Sequence, residues 1–197
     1  MVASSSSIYG LPARFPTPED EPPRPISPYG VTKLSTEALL HAYRATFRLP
    51  VVALRYFTVY GPRQRPDMGF HGFFEAVRRG TPVTIYGDGE QTRDLVYVED
   101  VAAANVLAAE RLLPPLASLD ARAFNVGTGV ETTVNRLAEL LAAAVGRSSD
   151  IRRAPARSGE ILRSSLDVSK AARELGWRPQ VSLAEGLKRT VRWIGEG

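Results

Sequence analysis

Cysteine is absent from this 197-residue chain, which excludes disulfides, thiolate catalysis and cysteine-ligated metal sites. Histidine is nearly absent. The two that exist, His41 and His71, stand far apart in the chain and argue against a histidine metal centre. No apolar run approaches the length of a membrane span and no basic-then-apolar leader is seen, so a cytoplasmic protein without membrane association is expected. The net charge is +4, yet the arginines are scattered and no basic run alternates with aromatics, so no nucleic-acid partner is expected either. Also missing is a glycine-rich strand-to-helix turn of the kind whose amides hold a dinucleotide pyrophosphate.

What is present suits an ordinary folded domain, with 44% hydrophobic and 23% charged residues, enough for one good core or a little more. Val2 to Ile8 reads as a buried parallel strand that breaks into small hydroxyl residues. Leu11 to Pro28 is rich in proline and acids and reads as a loop that delivers the chain to a helix from about Tyr29 to Phe47. That helix carries Leu34, Ala38, Leu39, Ala42, Tyr43 and Phe47 at three-and-four spacing, an apolar face that needs a partner. Val51 to Phe57 is the next strand, and its exit from Thr58 to Met68 reads as a loop with arginines suited to anions.

Further on, Gly69 to Arg79 reads as a short helix loosened by Gly69 and Gly72. Thr81 to Gly87 gives a strand and turn, and Arg93 to Val98 another strand. Asp100 is placed to cap a helix from Val101 to Leu112, ended by Pro114-Pro115. A strand at Ala123 to Gly127, a helix at Thr133 to Gly146, an edge strand at Ile151 to Ala156, a short helix after Leu166 to Lys170 and a last amphipathic helix from Leu183 to Ile194 complete the pattern.

The chemistry concentrates at Tyr29-Gly-Val-Thr-Lys33, directly after Ser27-Pro28. A tyrosine and a lysine four apart share one helix face. A fixed ammonium beside a phenol favours the phenolate, so Tyr29 is a candidate proton carrier and Lys33 its tuner. The bland alternative is a solvated helix face, and the surroundings decide against it. Ser4-Ser-Ser-Ser7-Ile-Tyr-Gly10 lies upstream and Arg55-Tyr-Phe-Thr-Val-Tyr-Gly-Pro-Arg-Gln-Arg65 downstream. Tyr86-Gly-Asp-Gly-Glu-Gln-Thr-Arg-Asp94, Tyr97-Val-Glu-Asp100, Asn125-Val-Gly-Thr-Gly129 and Arg157-Ser-Gly-Glu160 follow. In that order and spacing they resemble the extended short-chain dehydrogenase/reductase family, in particular its NAD-dependent nucleotide-sugar epimerases and dehydratases. The resemblance runs over essentially the whole chain.

The resemblance implies an α/β fold: the C-terminal part of a Rossmann-type parallel sheet plus a smaller mixed α/β substrate domain. Residues 1–60 and 94–127 would belong to the first, and 61–93 and 128–197 to the second. It implies NAD as cofactor, a UDP-sugar as substrate and a homodimer in the complete protein. Ser5 stands four residues before Tyr9, where the family has its catalytic hydroxyl. Tyr29 would take the proton of the sugar C4 hydroxyl, and Lys33 would hold the nicotinamide ribose. Ser5, Tyr29, Lys33 and Tyr56 would all touch the cofactor. Arg93 and Arg157 match positions that bind the diphosphate, and Thr84, Ile85 and Tyr86 match the wall around the base, whose usual partner is uracil. Thr58 and Arg65 together resemble the UDP-glucuronate 4-epimerases, in which a sugar carboxylate has to be held. No metal is implied.

Dehydratase-like relatives carry Asp-Glu where this chain has Ser6 and Ser7, because eliminating water needs an acid and a base. Epimerisation needs only the tyrosine and a hydride carrier, so the resemblance favours a 4-epimerase of UDP-glucuronate or UDP-glucose. The family's pyrophosphate turn and ribose-binding acid precede the matched region, so the sequence reads as the C-terminal two-thirds of such a protein, inactive by itself. Two rivals stay open: a non-catalytic binding protein of the same fold, and another NAD-dependent dehydratase or reductase.

Overall fold

A computed structural model of the chain describes residues 1–65, 68–110, 123–148, 150–156 and 161–195. In chain order the elements are β1 (Val2–Ser5), α1 (Pro28–Phe47), β2 (Ala53–Tyr56), β3 (Thr58–Tyr60), α2 (Gly69–Arg79), β4 (Val83–Tyr86), β5 (Thr92–Arg93), β6 (Leu95–Tyr97) and α3 (Val98–Glu110). They continue with β7 (Ala123–Val126), β8 (Thr132–Thr133), α4 (Val134–Val145), β9 (Ile151–Ala154) and α5 (Leu183–Gly195). Strands β1, β2 and β7 form a parallel sheet in that order, β3 pairs with β6 and β4 with β9 in parallel, and β5 pairs with β8 antiparallel. This is the α/β architecture that the sequence predicts. No described helix is long and apolar enough to cross a membrane.

Both faces of β2 are buried, Leu54 on an apolar one and Arg55 on the other, in register with Ser4 of β1 and Asn125 of β7. Val52, Leu54, Phe124 and Val126 from the sheet pack with Val96, Val101, Ala104 and Trp177. A second core joins Tyr60, Phe74, Leu95 and Tyr97 to Leu137, Leu141 and Leu187 of α4 and α5. Thr133 caps α4 by accepting from the Arg136 amide, and Gly146 closes it in the left-handed region, as the pattern of that segment predicts.

Several boundaries differ from the sequence reading. The first strand stops at Ser5, where Ser6–Ile8 winds into a single 3₁₀ turn. The segment expected to be loop from Thr58 opens with β3, because Thr58, Val59 and Tyr60 pair with Leu95, Val96 and Tyr97. The strand expected from Arg93 to Val98 is two strands facing different partners, with buried Asp94 at the break. Helix α3 begins at Val98, so Asp100 is not its cap; its carboxylate accepts from the amides of Gln180 and Val181, both at 3.0 Å. The short helix after Lys170 is a π-helical turn, Ala171–Leu175. Pro114-Pro115 lies outside the described residues.

Helix α1 starts as predicted, with Ser27 accepting from the Gly30 amide and Pro28 in the first turn. Its apolar face does not find the cover that the sequence calls for. Leu39 is 61% exposed, Tyr43 and Phe47 are also exposed, and only Gly30 and Glu37 are fully buried. Gly30 is where the helix touches the 3₁₀ turn: a Cβ there would stand 2.5 Å from the Ser7 carbonyl oxygen. Gly30→Ala is therefore expected to destabilise the protein by about 1–3 kcal/mol, outweighing the ~1 kcal/mol that alanine gains in helix propensity. The check is the urea midpoint at unchanged slope. A midpoint that rises would mean that the contact yields.

Candidate active site

The C-terminal ends of β1 and β2 and the first turns of α1 meet around one cleft of about 550 Å³. Strand ends are where open parallel sheets leave room for ligands. At the end of β1, Ser5 caps the 3₁₀ turn: its Oγ accepts from the Ser7 amide and donates to Ser7 Oγ, both at 3.1 Å. Tyr29 stands on the first turn of α1, 54% exposed. Lys33, one turn on, sets its Nζ 5.6 Å from the centre of the Tyr29 ring and donates to the Ala3 carbonyl at 2.8 Å. The helix spacing and the strand end thus bring hydroxyl, phenol and ammonium to one cavity.

Tyr56, Thr58 and Arg65 line the same cleft, with Ser6, Ser7 and Met68. The Tyr56 hydroxyl is turned away to α3, where it donates to Asn105 Oδ1 at 2.7 Å, and burial pushes its phenol pKa up. Arg65 is exposed, with Nη2 3.7 Å from Met68 Sδ. Six of the residues singled out from the sequence are therefore neighbours.

Thr84, Ile85, Tyr86 and Arg93 are not among the residues that line this cleft. Thr84, Ile85 and Tyr86 form β4, whose alternation sends Ile85 inward. Its side chain is 0% exposed and packed with Val77, Val83 and Ala138, so it is no wall for a base, and only its backbone is left for that role. Thr84 and Tyr86 are half-buried on the opposite face. Arg93, on β5, donates through Nη1 to the carbonyls of Thr92 and Ile161, both at 2.7 Å. Arg157 lies outside the described residues.

Beneath the cleft runs a buried polar network to which sequence reasoning assigned no part. Arg55 donates to both oxygens of Glu37, at 3.0 and 2.8 Å, and through Nη1 to the Tyr9 hydroxyl at 2.8 Å and the Glu19 carbonyl at 2.9 Å. Tyr9 donates in turn to Asn125 Oδ1 at 2.8 Å, and the Asn125 amide donates to Glu19 Oε1 at 2.9 Å. Burial pushes the Tyr9 phenol well above its ordinary range against the pull of Arg55, and burial also raises the Glu19 carboxyl. Burial works against the Arg55 charge, but its bonds to Glu37 and Tyr9 leave its pKa raised. The available signal was Glu37 itself, an acid four residues past Lys33 on the face that also carries Tyr29.

A profile of the family described as GDP-mannose 4,6 dehydratase matches residues 1–190. The chain belongs to this family. Among curated relatives it is 42% identical over 195 residues to the UDP-glucose 4-epimerase of Mycolicibacterium smegmatis, covering 98% of this chain and 60% of that one. Among solved structures it is similar to the UDP-glucose 4-epimerase of Thermotoga maritima with UDP-glucose: the TM-score is 0.90 at 44% identity, over 98% of this chain and 62% of that one. A UDP-glucuronic acid 4-epimerase of Bacillus cereus, in complex with UDP-glucuronic acid and NAD, matches with a TM-score of 0.88 at 39% identity, over 98% and 60% of the two chains. The resemblance to nucleotide-sugar epimerases and dehydratases read from the motifs is thereby confirmed. The chain spans about 60% of the length of each of these three proteins.

Proposed function

We propose that the protein is an NAD-dependent 4-epimerase of a UDP-hexose. The observation that carries this is the meeting of Ser5, Tyr29 and Lys33 in one cleft at the end of β1. The cleft suits the nicotinamide-ribose end of a dinucleotide: Lys33 presents an ammonium with three donors, one of them engaged by Ala3 among the described residues, beside carbonyl and hydroxyl groups of β1. When bound, NAD supplies a reversible hydride acceptor for the sugar C4. Tyr29 takes the C4 hydroxyl proton and returns it, Ser5 hydrogen-bonds the reacting oxygen, and Lys33 orients the ribose. Ser6 and Ser7 line the cleft where elimination would need a carboxylate pair, which supports epimerisation over dehydration. Arg93 and Arg157 are assigned to the diphosphate, and Thr84, Tyr86 and the Ile85 backbone to the uracil side.

UDP is expected to protect the chain from heat, by about 2.7 kcal/mol at a hundredfold excess over its Kd. An unchanged melting temperature would remove the sugar-nucleotide reading and leave a small-carbonyl reductase or a scaffold. NAD should behave differently. Tyr29 and Lys33 meet only one end of it and the chain holds no pyrophosphate turn, so calorimetry on these 197 residues should show no binding at micromolar concentrations.

The sugar we assign carries a carboxylate at C6. Thr58 and Arg65 line the cleft that holds Tyr29. A threonine hydroxyl can donate to a carboxylate oxygen, and a guanidinium can neutralise and orient it. UDP-glucuronate should then compete against UDP-glucose with about a tenfold advantage, which Arg65→Ala should abolish. Preference for UDP-glucose, unchanged by Arg65→Ala, would overturn this assignment.

A further inference from the structure

Helix α1 carries Tyr29, Lys33 and Glu37 at intervals of four, so the three side chains stand in line on one face. The first two reach the cleft, and the third is fully buried beneath it. Glu37 Oε1 accepts from Ser4 Oγ and from Arg55 Nε, and Oε2 accepts from Arg55 Nη2. Ser4 immediately precedes Ser5 on β1. Tyr9, held by the same guanidinium, ends the 3₁₀ turn that Ser5 begins. One carboxylate therefore ties the helix that bears Tyr29 and Lys33 to the strand and turn that bear Ser5.

Apart from the close approach of Gly30 to Ser7 and the Lys33 bond to Ala3 at the N-terminal end, α1 has little apolar cover in the described structure. Leu39, Tyr43 and Phe47 are exposed, and Leu34 packs only at the margin of a small cluster of Ile8, Tyr9 and Leu166. Apolar contact tolerates sliding, whereas a two-pronged guanidinium–carboxylate pair is directional. We infer that Glu37 is a positioning residue: through Arg55 and Ser4 it sets the rotation of α1 and so the place of the Tyr29 hydroxyl relative to Ser5. The consequence for catalysis rests on the function proposed above. The geometry does not.

The test labels the seven tyrosines of the chain with 3-fluorotyrosine and follows them by fluorine NMR, with Tyr29 assigned from Tyr29→Phe. Glu37→Gln should shift or split the Tyr29 resonance and leave those of Tyr60 and Tyr97, in the second core, in place. A Glu37→Met, Arg55→Met pair removes both charges and keeps the bulk, so it should fold even where Glu37→Gln does not. It should show the same disturbance at Tyr29. In a form of the protein that turns over UDP-sugar, both variants should lose about a hundredfold in kcat with KM within about twofold, the pattern of a misplaced group and not of a weakened site. A doubly substituted protein whose Tyr29 resonance coincides with that of the parent would overturn the inference, since the pair would then contribute stability alone. Titrating UDP-sugar into the parent separates the two claims: absence of binding would end the proposed function and leave the Tyr29 resonance still reporting on Glu37.

Discussion

Tyr29→Phe is expected to lower epimerisation by about a hundredfold or more while UDP-sugar affinity stays within about twofold. The substitution removes the hydroxyl and nothing else that the structure shows in use. Tyr29 is 54% exposed on the first turn of α1, and the Lys33 ammonium, 5.6 Å from the ring centre, keeps a ring to face. Stability should therefore move by no more than about 0.5 kcal/mol. Single-turnover kinetics on a form that binds NAD, with calorimetry of UDP-sugar binding and a melt, separates the three quantities. Turnover retained in a folded variant would take Tyr29 out of the mechanism.

Asp94→Ala should have the largest effect on stability, about 3–5 kcal/mol out of a total on the order of 5–15. Asp94 is fully buried at the break between β5 and β6. Its Oδ1 accepts from the Thr128 amide at 2.7 Å and the Thr128 hydroxyl at 2.6 Å, and Oδ2 from the Gly129 amide at 2.8 Å and the Leu166 amide at 3.4 Å. Burial pushes its carboxyl pKa up, and these same bonds draw it back part of the way. Alanine leaves the turn and the segment at Leu166 with unpaired donors. Asparagine should be nearly as damaging, because its amide turns two donors toward amides that also donate. The segment concerned is the one that Arg93 holds at Ile161, so UDP affinity should fall with stability. Urea denaturation of both variants is the check, and an Asp94→Asn protein within about 0.5 kcal/mol of the parent would show that the turn stands without the carboxylate.

The elements most legible in the sequence were those specified locally. Ser27-Pro28 marks the start of α1 through a side chain that reaches an amide three residues away, Thr133 starts α4 in the same way, and Gly146 ends it by its left-handed backbone. The spacing of Tyr29 to Lys33 puts both on one face of any helix, and the motif order identified the family before any coordinate was needed. What could not be read this way depends on partners distant in the chain. Thr58–Tyr60 is a strand because β6 lies beside it. The Asp100 carboxylate serves the amides of Gln180 and Val181, 80 and 81 residues further on. Ile85 faces the core because β4 pairs with β9 on one side and meets α2 and α4 on the other.

The candidate site divides along the same line. Spacing on one helix face offered Tyr29 and Lys33 as a pair, the surrounding motifs singled that pair out, and the family resemblance added Ser5. Only the tertiary fold made them neighbours and added Tyr56, Thr58 and Arg65 to the same cleft. Glu37 shows why the division exists. An acid in the middle of a helix reads as a solvent-facing charge, because burial of a carboxylate is prohibitive without a partner. Its partner, Arg55, is 18 residues away on another element, and no local pattern announces the pair. The sequence by itself determined the family and the fold class and named candidate reactive groups; the tertiary structure alone decided which buried charges lie against the elements that carry them, because a buried ion pair exists only where two distant segments meet.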